Sequence, residues 1–191
     1  MNHARIAIGL CLGVLWLMVA GTPALAADDT ALWHRLASGE AIALMRHASA
    51  PGTGDPAGFV LDDCATQRTL SAAGRTEARA IGQRFREHGI ARASVYSSQW
   101  CRCLETARLL GLGPVRPLPA LNSFFEDRDK GRARTAAIEQ RLAEADTGVQ
   151  ILVTHQVNIT ALTGVFPASG EIVVVRPDSH GLAVIGRIAP P

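Results

Sequence analysis

The sequence predicts an α/β fold, a three-layer α/β/α sandwich with a mostly parallel central sheet. Two stretches, residues 41–45 and 149–154, are apolar and have the length of buried strands. Segments with apolar residues at helical spacing alternate with strands of this kind along the chain. Because alternating strands and helices build a sheet covered by helices, this pattern favours three layers.

Five segments carry the helical pattern, and capping residues or stop signals mark several of their ends. Ser71 and Ser98 are capping residues at two helix starts, while Gly39 and Gly89 are stop signals. The predicted helices cover residues 29–38, 71–88, 98–110, 135–145 and 156–163.

Strands and two long loops account for most of the remaining chain. One loop, residues 49–63, is rich in Gly, Pro and Asp, and a second covers residues 121–130. A loop as long as the first is usually functional in a compact domain. The predicted strands cover residues 40–45, 93–97, 115–118, 149–154, 171–175 and 182–188, the last two as a closing pair.

The first 26 residues predict a cleavable secretory signal. Arg5 precedes an apolar stretch at residues 6–20, and residues 24–26 form an A-x-A cleavage site. A membrane anchor is the alternative, but the apolar stretch is short for a span. We therefore expect a single domain at residues 27–191, located in the periplasm or secreted, with no stable membrane anchor after cleavage.

The charge balance and the spacing of metal-ligating residues exclude several function classes. The formal net charge of +2 gives no reason to expect a nucleic-acid or membrane-surface partner. The chain has no C-x-x-C motif, and its Cys and His residues do not cluster with zinc spacing. We expect neither a metal nor another cofactor.

Three cysteines follow the predicted cleavage site, and an oxidising compartment favours one disulfide among them. Cys101 and Cys103 are too close on a helix to bridge comfortably, so Cys64 should pair with one of them. We predict a Cys64–Cys101 disulfide, because Cys101 lies on the turn that presents Arg102 and Cys64 precedes a helix near the same sheet edge. Cys103 is then a buried free thiol.

Two histidines and two arginines follow three predicted strands. Arg46 and His47 end the first strand, His155 ends a later one, and Arg102 lies in the first turn of the helix after the strand at residues 93–97. In a parallel sheet these strand ends share the edge where ligands bind. Guanidinium groups bind phosphate oxygens, and a histidine can attack phosphorus, so the set suits a phosphoryl group.

The same residues lie in four motifs, and with them the chain resembles the histidine phosphatase superfamily, branch 1, which includes the cofactor-dependent phosphoglycerate mutases. Each motif alone would be weak evidence, but all four occur in the family's order and cover most of the chain after residue 26. The four are R-H-A at residues 46–48, L-S-x-x-G at 70–74, S-x-x-x-R-C-x-x-T-A at 98–107 and V-T-H at 153–155.

The resemblance implies a phosphoglycerate mutase-like fold and a role for each residue of the pocket. His47 is implied to be the nucleophile that forms a transient phosphohistidine, while Arg46, Arg102 and His155 hold the phosphate oxygens. Arg68, which ends the segment before the helix at residues 71–88, is a candidate third arginine for the phosphate. A surface role is its alternative.

The general acid is the open position in this comparison. Many relatives have a Glu in an L-x-E segment, where this chain has Leu121-Asn122-Ser123. Glu126 and Asp127 follow in the same loop, and either can take the role, with a solvated loop acid as the alternative. Another branch places the acid in an H-D pair, but this chain has His155-Gln156. Without a well-placed acid, substrates with good leaving groups are favoured.

The function that we expect is an exported phosphomonoesterase acting on a small-molecule or glycolipid phosphate ester. A known member of the family removes phosphate from a heptose of the lipopolysaccharide core, so a cell-envelope glycolipid phosphatase is one alternative. Protein phosphohistidine phosphatase activity is another, although export weakens it. A non-catalytic phosphate-binding module is the alternative outside enzymology.

Overall fold

The computed structural model describes residues 29–144, 148–179 and 181–191. Within them one six-stranded sheet has the order β3-β2-β4-β1-β5-β6. Neighbours from β3 to β1 run parallel, while β5 and β6 are antiparallel additions beside β1. The strands are β1 Ile42–Arg46, β2 Ser94–Ser97, β3 Val115–Pro117, β4 Gln150–Thr154, β5 Ile172–Asp178 and β6 Gly181–Ile188. The predicted signal lies outside the described residues.

Five α-helices cover the two faces of this sheet within the described residues. Side chains of α1, α2 and α3 pack with one face in a single apolar cluster, and those of α4 and α5 pack with the other. The helices are α1 Thr30–Ala37, α2 Ala72–Glu87, α3 Cys101–Leu110, α4 Gly131–Ala143 and α5 Gln156–Thr163. The predicted three-layer, mostly parallel sandwich is confirmed. In the part of the chain that the structure describes, no helix is long and apolar enough to cross a membrane.

Two helix starts differ from the sequence prediction. Helix α3 begins at Cys101, and the Ser98 hydroxyl, predicted to cap a helix starting at residue 98, is bonded to Asn122, His155 and Trp100 N. Helix α4 begins four residues before the predicted start at Thr135. The Thr135 hydroxyl does not cap the helix but donates to the carbonyl of Gly131, one turn earlier, at 2.9 Å.

Helix α2 lies against the chain that leaves β1. Its N-cap, Ser71, accepts a hydrogen bond from Gly74 N at 2.9 Å, as predicted. A Cβ on Gly74 would lie 2.0 Å from the Ser49 carbonyl oxygen, so only glycine fits at this crossing. Ser49 N in turn donates to Glu77 at 2.7 Å. These contacts fasten the segment after His47 to α2.

Candidate active site

The carboxyl ends of β1, β2 and β4 lie side by side, because β4 pairs with both of the other strands. A cavity of about 420 Å³ opens over this edge, lined by every catalytic and phosphate-binding residue that the sequence predicted. Its floor is formed by His47, Arg102 and His155, each at most 4% exposed. Arg46, Arg68, Glu126 and Asp127 line its sides.

His47 presents one particular ring nitrogen to the cavity. Its Nδ1 lies 2.8 Å from the carbonyl oxygen of Ala48. Because a carbonyl only accepts, Nδ1 carries the hydrogen and Nε2 carries the lone pair. Arg102 Nε donates to that Nε2 at 3.3 Å. Burial and the neighbouring Arg102 lower the pKa of His47 to about 3, so the imidazole is neutral at physiological pH.

His155 is held in the opposite tautomer. Arg102 Nη2 lies 3.4 Å from its Nδ1, and since a guanidinium only donates, this nitrogen is the acceptor. Its Nε2 therefore donates to the Ser98 hydroxyl at 2.9 Å. The Ser98 hydroxyl in turn donates a hydrogen bond to Asn122 Oδ1 at 3.2 Å. Burial and Arg102 lower the pKa of His155 well below its usual range.

The other two arginines are anchored by backbone carbonyls. Arg46 Nη1 donates to Pro167 O at 2.9 Å, while its Nε is buried and has no partner among the described residues. Arg68 Nε donates to Gly54 O at 2.8 Å, and its Nη1 donates to Ala50 O. Arg46 and Arg68 both line the cavity, where guanidinium groups can bind phosphate oxygens.

The backbone N–H groups at the N-terminus of α3 have side-chain partners. A helix start beside Arg102 could bind phosphate only through N–H groups that are free. Instead, Gln99 N donates to Asn122 Oδ1 at 2.8 Å, and Cys101 N donates to Gln67 Oε1 at 3.0 Å. Trp100 N faces the Ser98 hydroxyl at 3.3 Å. Because side chains take these donors, the positive charge of the site comes from the arginines.

The two candidate acids lie at the mouth of the cavity in different surroundings. Asp127 pairs with Lys130 Nζ at 2.6 Å, and that hydrogen bond lowers the pKa of its carboxyl. Glu126 Oε1 accepts a hydrogen bond from Asp55 N at 3.1 Å. Ser123, at the position of the family's glutamate, also lines the cavity.

A disulfide joins Cys64 to Cys101, as predicted, and Cys103 is a buried free thiol. The bridge ties the short helical turn Cys64–Thr66, which follows the long loop, to the first residue of α3. Burial raises the pKa of the Cys103 thiol to about 12.

Sequence reasoning missed three residues of the site. Asp55 lies in the cavity wall with both carboxylate oxygens on Arg102 Nη1, at 2.8 and 3.0 Å. Ser98 and Asn122 orient His155. The loop at residues 49–63 was predicted to be functional, but nothing in its residue types distinguished Asp55 from Asp62 or Asp63.

Solved structures share this fold at low sequence identity. The protein histidine phosphatase SixA complexed with tungstate is 16% identical, with a TM-score of 0.56 and coverage of 78% of this chain and 96% of that one. Rv3214 from Mycobacterium tuberculosis is 16% identical, with a TM-score of 0.59 and coverage of 79% and 98%.

A phosphoserine phosphatase mutant from Entamoeba histolytica, in complex with phosphoserine, is 12% identical, with a TM-score of 0.55 and coverage of 77% and 95%. At these identities the likeness concerns the fold alone. No curated protein sequence matches the chain significantly.

The family assignment comes from the sequence itself. The family model of the histidine phosphatase superfamily (branch 1) matches residues 42–146, more than half of the chain. This range holds the R-H-A motif, the L-S-x-x-G helix start and the arginine of α3, all of which contribute to the cavity described above or to its support. The chain belongs to the histidine phosphatase superfamily, branch 1, and is a hydrolase that acts on phosphate esters.

Proposed function

We propose that this protein is exported and hydrolyses phosphate monoesters through a phosphohistidine on His47 Nε2. The observation that carries the proposal is the state of that nitrogen. It is unprotonated, buried and faces Arg102 at 3.3 Å, while Nδ1 is held by a carbonyl. A neutral imidazole with a fixed lone pair beside a guanidinium is suited to attack an anionic phosphoryl group.

In the first step, His47 Nε2 forms a bond to phosphorus as the ester P–O bond breaks, and the leaving oxygen takes a proton. Arg46, Arg102 and Arg68 stabilise the charge that spreads over the phosphoryl oxygens. An anion between Arg102 and His155 would favour the protonated form of His155, in which both ring nitrogens donate. In the second step, water attacks phosphorus and gives up a proton to the carboxylate that protonated the leaving oxygen, the P–N bond breaks, and inorganic phosphate leaves.

Glu126 is the better of the two candidate proton donors. The ion pair with Lys130 favours the charged carboxylate of Asp127, which cannot donate a proton. Glu126 has no such pair among the described residues, and its Oε1 already lies against the loop segment of Asp55. We therefore assign Glu126 as the residue that protonates the leaving oxygen at the cavity mouth.

The disulfide supports the exported location. Cys64 and Cys101 are joined, and disulfides persist in oxidising compartments such as the periplasm. The predicted signal at residues 1–26 would direct the chain there. Fractionation of cells that express the full chain, with sequencing of the mature N-terminus, tests this part. A cytoplasmic, uncleaved protein would contradict it.

A phosphohistidine substrate is the second candidate, favoured by Ser123 at the position of the family's glutamate. An imidazole leaving group depends less on an acid than an alkoxide does. SixA, with which this chain shares its fold, is described as a protein histidine phosphatase. Comparing turnover of a phosphohistidine peptide with that of alkyl and aryl phosphates separates the two candidates.

The decisive experiment is to trap the intermediate. Purified protein, with EDTA present because arginines supply the charge, is mixed with labelled nitrophenyl phosphate and quenched in base. We expect a base-stable, acid-labile label on His47, and loss of both label and turnover in His47→Ala. Phosphate binding should be retained in that variant, because the arginines that hold the phosphate oxygens remain while the nucleophile is removed. Label that persists in His47→Ala would overturn the assignment.

A further inference from the structure

Asp55 is a buried carboxylate in the cavity wall to which the mechanism above gives no part. Its side chain is 4% exposed, and both oxygens accept from Arg102 Nη1, at 2.8 and 3.0 Å. Oδ2 also accepts from Trp100 Nε1 at 3.0 Å, and Oδ1 accepts from Arg68 N at 3.0 Å. Three residues thus fix the carboxylate in one orientation.

These contacts determine which edge of Arg102 faces the reacting groups. Nη1 points to Asp55, while Nε points to His47 Nε2 at 3.3 Å and Nη2 points to His155 Nδ1 at 3.4 Å. Nε and Nη2 form one edge of the planar guanidinium, the fork that binds two oxygens of a phosphate. A carboxylate on the remaining nitrogen prevents the group from rotating that edge away from the histidines.

We propose that Asp55 is a positioning residue that acts through Arg102, turning its Nε–Nη2 edge toward the phosphoryl group. This inference rests on the proposed function, since it assigns a part in the same reaction. The loop at residues 49–63 thereby contributes to catalysis through one ion pair, whichever phosphate ester is bound.

Two other roles for Asp55 fit the geometry less well. Burial disfavours the charged carboxylate, but the hydrogen bonds and charge of Arg102 outweigh it and lower the pKa of Asp55, so it has no proton to donate as a general acid. If Asp55 occupied the phosphate site and were displaced by phosphate, its hydrogen bonds to Arg68 N and Trp100 Nε1 would have to break as well. That would leave two part-buried donors without partners.

The test is a double-mutant cycle with Asp55→Asn, Arg102→Ala and the double variant. In the Arg102-containing protein we expect Asp55→Asn to lower kcat/KM for nitrophenyl phosphate by about 10- to 100-fold, the scale of a small misplacement in a reacting site. In the Arg102→Ala background the same change should alter kcat/KM by no more than about threefold, because its target is gone.

Asp62→Asn is the matched control. Asp62 lies in the same loop and is exposed, so the same loss of charge should leave kcat/KM unchanged. Thermal unfolding checks that each variant is folded. If Asp55→Asn does not fold, Asp55→Glu takes its place in the cycle, since it keeps the charge but moves it by one methylene.

Three outcomes would overturn the proposal. An equal loss in both backgrounds would mean that Asp55 does not act through Arg102. A loss of kcat/KM confined to alkyl phosphates would indicate that Asp55 is the general acid. A gain in kcat/KM would indicate that Asp55 occupies the phosphate site and is displaced by the substrate. If the wild-type protein shows no turnover, the proposed function is overturned instead. The same cycle is then measured with the affinity for inorganic phosphate as the readout. If the effects of Asp55→Asn and Arg102→Ala on that affinity are independent, the role of Asp55 is overturned.

Discussion

The Ser98 hydroxyl lies 2.9 Å from His155 Nε2, at the position where a helix cap was expected. It connects the second histidine of the pocket to Asn122 Oδ1, which also accepts from Gln99 N. This short chain of hydrogen bonds fixes the tautomer of His155 and leaves its Nδ1 facing Arg102.

Replacing Ser98 tests this relationship. Ser98→Ala leaves the buried His155 Nε2–H with only the weak acceptor Cys103 Sγ, at 3.5 Å, so we expect unfolding to be easier by about 1–3 kcal/mol. We also expect a reduced kcat/KM, because the ring can then adopt the other tautomer. Urea unfolding and steady-state kinetics measure the two effects. Ser38→Ala, at an exposed hydroxyl, is the control and should change neither.

Stability should fall as the pH is lowered below neutrality, because both pocket histidines are buried in the neutral form. Between its unfolded pKa of 6.5 and its folded pKa of about 3, His47 takes up a proton only on unfolding. This group therefore destabilises the fold by up to about 1.4 kcal/mol per pH unit as the pH falls through that window. Urea unfolding at about pH 7, 6 and 5 measures the slope. His47→Asn should reduce it, and an unchanged slope would contradict a neutral buried His47.

The two candidate acids are separated by leaving-group dependence. Glu126→Gln should lower kcat on alkyl phosphates by about 10²- to 10⁴-fold, the usual contribution of a general acid, and much less on nitrophenyl phosphate. Asp127→Asn should affect both substrates little, because its carboxylate is already paired with Lys130. If Asp127→Asn shows the larger loss of kcat on alkyl phosphates, Asp127 is the general acid.

Loss of the disulfide should loosen the loop that carries Asp55 and the following segment that carries Arg68. The bridge spans 37 residues, so Cys64→Ser should lower the free energy of unfolding by about 3–4 kcal/mol in the chain-entropy model. We expect kcat/KM to fall as well. Reductant should lower the stability and kcat/KM of the wild-type protein to the values of Cys64→Ser, and it should change neither value in the variant. A wild-type activity insensitive to complete reduction would refute this role.

Gly74 should matter for both folding and activity. A Cβ there would lie 2.0 Å from the Ser49 carbonyl oxygen, so Gly74→Ala must push the segment after His47 away from α2. We expect a loss of about 1–3 kcal/mol in stability and a marked loss of activity. Gly82→Ala, whose Cβ would lie 2.1 Å from Leu110 O, is the matched control. Gly82→Ala should lower the free energy of unfolding by a similar amount and reduce the activity little.

The sequence by itself determined the layers and most of the histidines and arginines that line the cavity. Strand and helix patterns are local, and topology rules then bring the carboxyl ends of parallel strands to one edge. Arg46, His47 and His155 are therefore placed together by residue pattern and topology alone, and so is Arg102, in the first turn of the helix after β2. The Cys64–Cys101 pairing followed from the same edge.

Only the tertiary structure decided which polar groups meet inside that pocket. Ser98 has the residue type of a helix cap, yet its hydroxyl faces His155 because Asn122 approaches from a segment more than twenty residues away. Asp55 was one of several loop acids until the fold placed it on Arg102. Hydrogen bonds of this kind depend on distances across elements, which residue type and spacing along the chain do not contain.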